Sequence, residues 1–110
     1  PFFDIIFFSE EEIISTKITK YDLLNLAKIL VITNGENGST VFYKNKTIKI
    51  NPYLTNTIDS IGAGDIYAAV FSSVYYKTKN LIIAGEQASK IASKSTEYKG
   101  LKGVNPNILV

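Results

Sequence analysis

The sequence contains no cysteine, histidine, methionine or arginine among its 110 residues. The absence of cysteine excludes disulfides and thiol catalysis, and without histidine as well, zinc sites built on these two ligands are excluded. Any proton transfer must therefore use Asp, Glu, Lys or Tyr side chains. A chain that lacks methionine and begins with proline is expected to be part of a longer protein.

The charge balance argues against nucleic acid and membrane surfaces as partners. All 12 basic residues are lysines, and they stand against 10 acidic residues, for a net charge of +2. Without arginine, the usual bidentate reader of phosphates and base edges is missing. The apolar opening run, residues 1–8, contains Asp4 and is too short for a signal peptide or a membrane span. We therefore expect a cytoplasmic protein with no nucleic-acid or membrane partner.

The first third of the chain predicts an α/β fold. Residues 5–8 and 30–33 are short apolar runs, as expected for strands covered on both faces. Between them, Ser9 and Glu12 form a capping-box pattern. Thr19 can cap a second helix, whose predicted apolar face consists of Leu23, Leu24, Leu26, Ala27 and Leu30. The strand–helix–strand order makes the two strands parallel, with a right-handed crossover.

The rest of the chain predicts a hairpin followed by two helices. Residues 39–43 and 47–50 alternate as strands do, and residues 44–46 suit the turn between them. A helix is expected over residues 66–76, with one face made of Ile66, Ala69, Val70, Ser73 and Val74. Asn80 can cap a last helix, whose face of small residues comprises Leu81, Ala84, Ala88, Ile91 and Ala92.

The most informative segment is the turn Gly62, Ala63, Gly64 and Asp65, which opens the helix of residues 66–76. A glycine turn at a helix start leaves several backbone N–H groups free, and the helix dipole makes them a site for a phosphate oxygen. Asp65 in the first turn is well placed to take a proton from a hydroxyl that attacks a phosphoryl group. This combination of anion site and base predicts phosphoryl transfer.

Residues 59–65, Asp-Ser-Ile-Gly-Ala-Gly-Asp, resemble the second signature of the ribokinase-like carbohydrate kinases, or PfkB family, usually Asp-Thr-Thr-Gly-Ala-Gly-Asp. Residues 9–12 resemble that family's Asn-x-x-Glu motif, and residues 32–38 resemble its Thr-x-Gly-x-x-Gly segment, in the same order. The resemblance implies an α/β, Rossmann-like three-layer fold of ribokinase type. Residues 1–110 would form a single partial domain, the C-terminal nucleotide-binding portion, without the N-terminal substrate and lid part.

The resemblance implies transfer of the γ-phosphoryl group of ATP to an alcohol group of a sugar or nucleoside. Asp65 matches the family's catalytic base, and the backbone N–H groups of Gly62, Ala63 and Gly64 would form the anion hole. The positions near ATP would be Thr33, Gly35 and Gly64. Glu12 matches the acidic residue that organises Mg²⁺ through water, and Asp59, with the carbonyl of Ile61, matches a monovalent-cation site that would hold K⁺.

Two positions depart from the family pattern. Ser9 replaces the Asn of Asn-x-x-Glu, which shortens or removes one polar contact to the metal–phosphate network. Ile61 replaces the usual Thr, a change that leaves the backbone carbonyl in place.

Simpler explanations stay open for several of these residues. A capping box accounts fully for residues 9–12, Thr33 and Gly35 can be the end of a strand and a turn, and Asp59 can hydrogen-bond the loop backbone. The alternative function is a non-catalytic nucleotide-binding module or pseudokinase fragment. A third hypothesis is an interaction fragment whose exposed edge completes another chain's fold. In each case the missing N-terminal half or a homo-oligomeric partner is expected.

Overall fold

A computed structural model describes residues 3–53 and 62–96 of the chain. Four strands form one sheet in the order β1-β2-β3-β4. The first pair is parallel, and the other two pairs are antiparallel. The strands are β1 (Phe3–Ser9), β2 (Ala27–Thr33), β3 (Ser39–Tyr43) and β4 (Lys46–Ile50).

Helices cover both faces of this sheet. The helices α1 (Glu10–Thr16) and α2 (Lys20–Leu24) connect the parallel strands, and α3 (Ala63–Thr78) and α4 (Leu81–Ser95) follow the hairpin. Successive side chains of a buried strand point to opposite faces. In β2, Ile29 and Val31 join the core under α3 and α4, whereas Leu30 and Ile32 pack with Leu23 on the other face. The expected three-layer α/β fold is confirmed.

The first two helices begin at side-chain caps, as the sequence predicts. The Glu12 N–H donates to the Ser9 hydroxyl at 3.1 Å, and the Ser9 N–H donates to Glu12 Oε1 at 2.9 Å. Thr19 and Asp22 form the same reciprocal arrangement at α2. The two hydrogen bonds from Thr19 lower the pKa of the Asp22 carboxyl.

The predicted length of α2 is wrong. The helix ends at Leu24, and residues from Ala27 onward belong to β2 rather than to a continued helix. The apolar residues of this segment are buried on both faces of the sheet, an arrangement that a strand provides and an amphipathic helix does not. Tertiary packing has therefore overridden a helical periodicity in the sequence.

The hairpin turn contains two residues rather than three. Lys44 and Asn45 have φ values of 48° and 62°, and Lys46 already belongs to β4. Two successive left-handed residues match a type I′ turn, whose twist suits the strands that it joins.

The small-residue face predicted for α4 is confirmed, whereas the face predicted for α3 is partly wrong. Ala84, Ala88 and Ala92 of α4 are buried. In α3, Ile66 and Val70 are buried as expected, but the exposed Ala69 and Ser73 give way to Tyr67 and Phe71. The large rings bury more apolar area than the small residues would, which sets the rotation of the helix. Within residues 3–53 and 62–96, no helix is long and apolar enough to cross a membrane.

Gly38 connects the end of β2 to β3 in a backbone conformation that few other residues can adopt. Its φ and ψ are 89° and −152°. A Cβ at this position would overlap the carbonyl oxygen of Ile50 and lie 3.2 Å from Pro52 Cδ. Both the dihedral angles and the close approach of β4 therefore require glycine.

Replacing Gly38 with alanine should lower the free energy of unfolding by about 3 kcal/mol, from backbone strain together with overlap. Gly35 is the matched control, because its φ is 50° but a Cβ there would meet nothing within 4 Å. Gly35→Ala should cost only about 1 kcal/mol, the ordinary cost of a left-handed residue. Urea denaturation of both variants measures the difference, and equal losses would contradict the steric role of Gly38.

Candidate active site

Three hydroxyl-bearing residues lie in a row at one edge of the sheet, the edge formed by the ends of β1 and β2 and the start of β3. Ser9 ends β1 opposite Thr33, which ends β2, and Thr33 lies opposite Ser39, which begins β3. The alternation of side chains places these three positions on the face covered by α3 and α4, the same face as Phe7 and Val31. Ligands of open α/β sheets bind in the crevice beyond the carboxyl ends of parallel strands, where this row lies.

A buried hydrogen bond holds the start of α3 at this edge. The phenol oxygen of Tyr67 lies 2.6 Å from the hydroxyl oxygen of Ser39, and both residues are buried. The ring of Phe7 packs edge-on against Tyr67, with their centroids 6.4 Å apart. Tyr67 is one helical turn beyond Ala63, so the first turn of α3 lies beside the row of hydroxyl residues.

Within residues 3–53 and 62–96, the backbone N–H groups in the first turn of α3 have no hydrogen-bond partner. Gly62 precedes the helix in a left-handed conformation, with φ 83°, and provides no side-chain cap. The first intrahelical bond runs from the Ile66 N–H to the Gly62 carbonyl at 3.1 Å, so the N–H groups of residues 63–65 precede the ladder and point out of the helix. Side chains cap the other three described helices, at Ser9, Thr19 and Asn80. This exposed helix start is suited to an anion.

Packing against the described residues does not explain Gly64. It is exposed, its backbone is ordinary helix, and a Cβ there would meet nothing within 4 Å among the described residues. Glycine inside a helix costs roughly 1 kcal/mol relative to alanine. Neither conformation nor contact with the described residues requires glycine here, and the absence of a side chain leaves room for a ligand to approach the backbone closely.

Asp65 is the third residue of α3, and its side chain is exposed. Its carboxylate forms no hydrogen bond or ion pair with any other residue in the described ranges. A negative charge in the first turn of a helix is favourable toward the dipole, and this is the purely structural explanation of the residue. An unpaired, accessible carboxylate beside an anion site is also able to accept a proton from a bound hydroxyl.

The Glu12 carboxylate takes part in the capping box, since Oε1 accepts the Ser9 N–H, so that structural role is real. The side chain is nevertheless exposed, and a carboxylate oxygen has further lone pairs for a metal-bound water. The described residues contain no group of three His, Cys, Asp or Glu side chains that could hold a metal by themselves. Mg²⁺ usually keeps several waters and binds to one or two carboxylates and substrate phosphates. Glu12 fits Mg²⁺ that arrives with phosphate, through water.

Of the other predicted site residues, two lie at the same edge. Thr33 is half-buried at the end of β2, and Gly35 begins a single 3₁₀ turn, Gly35–Asn37, just beyond it. Their placement is that of a strand end and a turn, and it is also the placement expected of residues near a nucleotide. Asp59 and Ile61, predicted for K⁺, lie outside the described residues.

Ser39 and Tyr67 are not among the site residues that the sequence predicts. A usable signal was present, because Ser39 is a polar residue on the core-facing side of a strand that continues with Val41 and Tyr43. A buried hydroxyl requires a partner, and Tyr67 supplies it. Burial raises the pKa of the Tyr67 phenol, which keeps it protonated and able to hydrogen-bond at neutral pH.

Comparison with curated proteins finds kinases that act on nucleosides or sugars. The chain is 38% identical over 81 residues to a nucleoside kinase from Methanocaldococcus jannaschii, a match that covers 72% of this chain and 26% of the relative. It is 25% identical over 79 residues to a deoxyribokinase from Salmonella typhi, again with 72% of this chain and 26% of the relative covered. The chain thus spans about a quarter of the length of these relatives.

Solved structures show the same fold. The crystal structure of Methanocaldococcus jannaschii nucleoside kinase, an archaeal member of the ribokinase family, matches with a TM-score of 0.77 and 31% identity, over 88% of this chain and 34% of that one. Aminoimidazole riboside kinase from Salmonella enterica, complexed with aminoimidazole riboside and an ATP analogue, matches with a TM-score of 0.82. Its identity is 17%, with 96% of this chain and 40% of that chain covered, so this likeness concerns the fold alone.

The ribokinase-type fold of the described residues agrees with a match that spans nearly the whole sequence. Residues 3–108 match the family described as pfkB family carbohydrate kinase. The resemblance carried by residues 9–12, 32–38 and 59–65 is therefore confirmed, and the chain belongs to the pfkB family of carbohydrate kinases, as a segment of that family's full fold.

Proposed function

We propose that this chain provides the nucleotide-binding and catalytic edge of a kinase that transfers the γ-phosphoryl group of ATP to an alcohol group of a nucleoside or sugar. The observation that carries the proposal is the first turn of α3, where N–H groups and the Asp65 carboxylate, all without a partner among the described residues, lie together near the carboxyl ends of β1 and β2. Membership of the pfkB family supports this reaction class.

Each chemical step has a residue to perform it. The acceptor hydroxyl oxygen attacks the γ-phosphorus, Asp65 takes the hydroxyl proton, the bond to the β,γ-bridging oxygen breaks, and ADP leaves. The proposed anion hole for the transferred group consists of the backbone N–H groups of Gly62, Ala63 and Gly64; those of Ala63 and Gly64 belong to the helix positions that precede the hydrogen-bond ladder. These dipoles are already oriented by the helix, so they need no reorganisation during the reaction.

The remaining contacts to the nucleotide are assigned from placement. Thr33 and Gly35, at the end of β2, would lie near the ATP phosphates together with Gly64. Mg²⁺, when bound, neutralises phosphate charge, and Glu12 would hold it through water. A monovalent cation, K⁺, is proposed at Asp59 and the Ile61 carbonyl.

Among acceptors, a nucleoside is favoured over a simple sugar. The curated nucleoside kinase is 38% identical to this chain, whereas the deoxyribokinase is 25% identical over a similar length. A nucleoside offers the ribose hydroxyls that the proposed base requires, and its base moiety would be bound outside residues 1–110.

The acceptor site requires structure beyond this chain, so we propose that residues 1–110 are a single partial domain. Within the described residues, β1 pairs on one side only, with β2, although Ile5 and Phe7 pack on one face and Ile6 and Phe8 on the other. Such an edge is suited to a further strand, from elsewhere in the same protein or from a second chain. The cytoplasm stays the predicted location.

Asp65→Asn keeps the shape of the side chain and removes the base. In the native-length protein, kcat for ADP release from Mg·ATP, measured over a panel of nucleosides and sugars, should fall by at least about 100-fold. The dissociation constant for ATP should stay within about twofold, since the anion site uses backbone groups.

The matched control is Asp4→Asn, the same change at an exposed aspartate that forms a surface ion pair with Lys28 at 3.8 Å. This variant should keep full turnover. Activity that survives Asp65→Asn would refute the assigned base. ATP binding without turnover on any acceptor would instead favour the alternative, a nucleotide-binding pseudokinase.

Gly64→Ala distinguishes an effect on ATP binding from an effect on stability. Because no described atom lies within 4 Å of the added methyl group, the free energy of unfolding should stay equal or rise by up to about 1 kcal/mol. If phosphate binds at the first turn of α3 as proposed, the added methyl group should hinder its approach, and the dissociation constant for ATP, measured by calorimetry, should rise roughly tenfold or more.

Gly62→Ala is the contrasting variant, because its φ of 83° strains any other residue. That change should reduce both stability and ATP affinity. If Gly64→Ala binds ATP as tightly as the unmodified protein, phosphate does not approach the first turn of α3, and the anion-hole assignment fails.

A further inference from the structure

The hydrogen bond between Tyr67 and Ser39 joins two elements that are far apart in sequence. The two oxygens are 2.6 Å apart, and the side chains are 5% and 6% exposed. Tyr67 lies two residues after Asp65, on the helix that carries the proposed anion site. Ser39 begins β3, directly after the strained turn at Gly38.

Ser39 is held within the sheet from both sides. It lies opposite Thr33 of β2 on one side and opposite Ile50 of β4 on the other, so a strand flanks it on each side. Gly38, just before it, packs against the Ile50 carbonyl and Pro52. The hydroxyl of Ser39 is therefore fixed relative to the ends of β1 and β2, where Thr33 and the Ser9 cap lie.

The Tyr67 ring is also fixed, by packing on both sides. It stacks on Phe71, with centroids 6.1 Å apart and an interplanar angle of 17°, and it meets the edge of Phe7. Ring packing alone defines the distance between a helix and the sheet. Because apolar contacts are not directional, they leave the helix able to slide along its axis and to rotate. A short hydrogen bond at the end of the ring removes that freedom, because hydrogen bonds are directional.

We propose that the Tyr67–Ser39 hydrogen bond is a positioning device, which sets the rotation and axial position of the first turn of α3 relative to the ends of β1 and β2. Tyr67 does not touch the reacting atoms; it acts through the backbone of residues 63–65 and the Asp65 carboxylate. The inference rests on the proposed phosphoryl transfer and names residues that contribute to its geometry.

The consequence for catalysis follows from the precision that phosphoryl transfer requires. A displacement of about 1 Å in catalytic groups can reduce turnover by roughly two orders of magnitude. Loss of the tether should therefore reduce kcat more than it weakens substrate binding, since the N–H groups stabilise charge that develops during the reaction.

The test is a double-mutant cycle in the native-length protein, with Tyr67→Phe, Ser39→Ala and the combined variant. Each single change should lower kcat roughly tenfold and leave KM for the acceptor within about twofold. The kcat of the combined variant should lie within about twofold of that of the slower single variant, because both changes remove the same interaction.

Tyr75→Phe is the matched control. Tyr75 is on the same helix, stacks on the other side of Phe71 with centroids 6.4 Å apart, and its hydroxyl has no partner among the described residues. This variant should keep the kcat of the unmodified protein. Melting temperatures of all variants are measured so that turnover is compared at equal folded fraction.

A second readout does not depend on activity. In ¹⁵N-labelled protein, the amide resonances of Ala63, Gly64 and Asp65 should shift in Tyr67→Phe and stay in place in Tyr75→Phe. If these resonances and kcat are unchanged in folded Tyr67→Phe, the positioning role is refuted. If the unmodified protein shows no turnover, the proposed function fails, and the amide resonances alone decide whether the tether positions the helix start.

Discussion

The packing of α3 across the sheet is the constraint on which the rest of this structure depends. Phe71 is completely buried, and its ring lies 5.5 Å from Phe7 of β1 and 6.1 Å from Tyr67 of the same helix, measured between centroids. Burial of such rings supplies a large apolar driving force and a defined geometry. Because these contacts hold the helix over β1 and β2, its first turn must lie near the carboxyl ends of those strands.

The start of α3 differs chemically from the starts of α1, α2 and α4. Ser9, Thr19 and Asn80 satisfy N–H groups at three helices with their own side chains. At α3, Gly62 offers no side chain, and the first N–H groups have no acceptor among the described residues. In the proposed site these N–H groups bind phosphate, Gly64 leaves room for its approach, and the Asp65 carboxylate lies beside it. The proposed kinase chemistry follows from these features acting together at one edge of the sheet.

Local sequence signals were sufficient for much of the fold. Capping residues such as Ser9 and Asn80 form hydrogen bonds within three residues of themselves. The hairpin and the glycine turn are likewise determined by short segments of sequence. The family signature at residues 59–65 was decisive for the family. The length of α2 was not predictable, because a helical pattern before Ala27 competes with burial on both faces of a strand, and only the assembled sheet decides between them.

Part of the candidate site could also be predicted from local sequence, whereas part of it could not. Gly62, Ala63, Gly64 and Asp65 could be selected from the sequence because they are contiguous. The pairing of Ser39 with Tyr67 could not, since it joins residues 28 positions apart and requires both the register of β3 and the rotation of α3. The rotation in turn depends on Tyr67 and Phe71 replacing Ala69 and Ser73 on the buried face.

The most direct measurement is a crystal structure of the native-length protein with ADP, aluminium fluoride and the phosphate acceptor, a mimic of the transferring phosphoryl group. We expect fluoride ligands about 2.7–3.1 Å from the backbone nitrogens at the start of α3, with the acceptor hydroxyl within hydrogen-bond reach of Asp65. Aluminium fluoride bound away from this turn, or an acceptor hydroxyl out of reach of Asp65, would contradict this expectation.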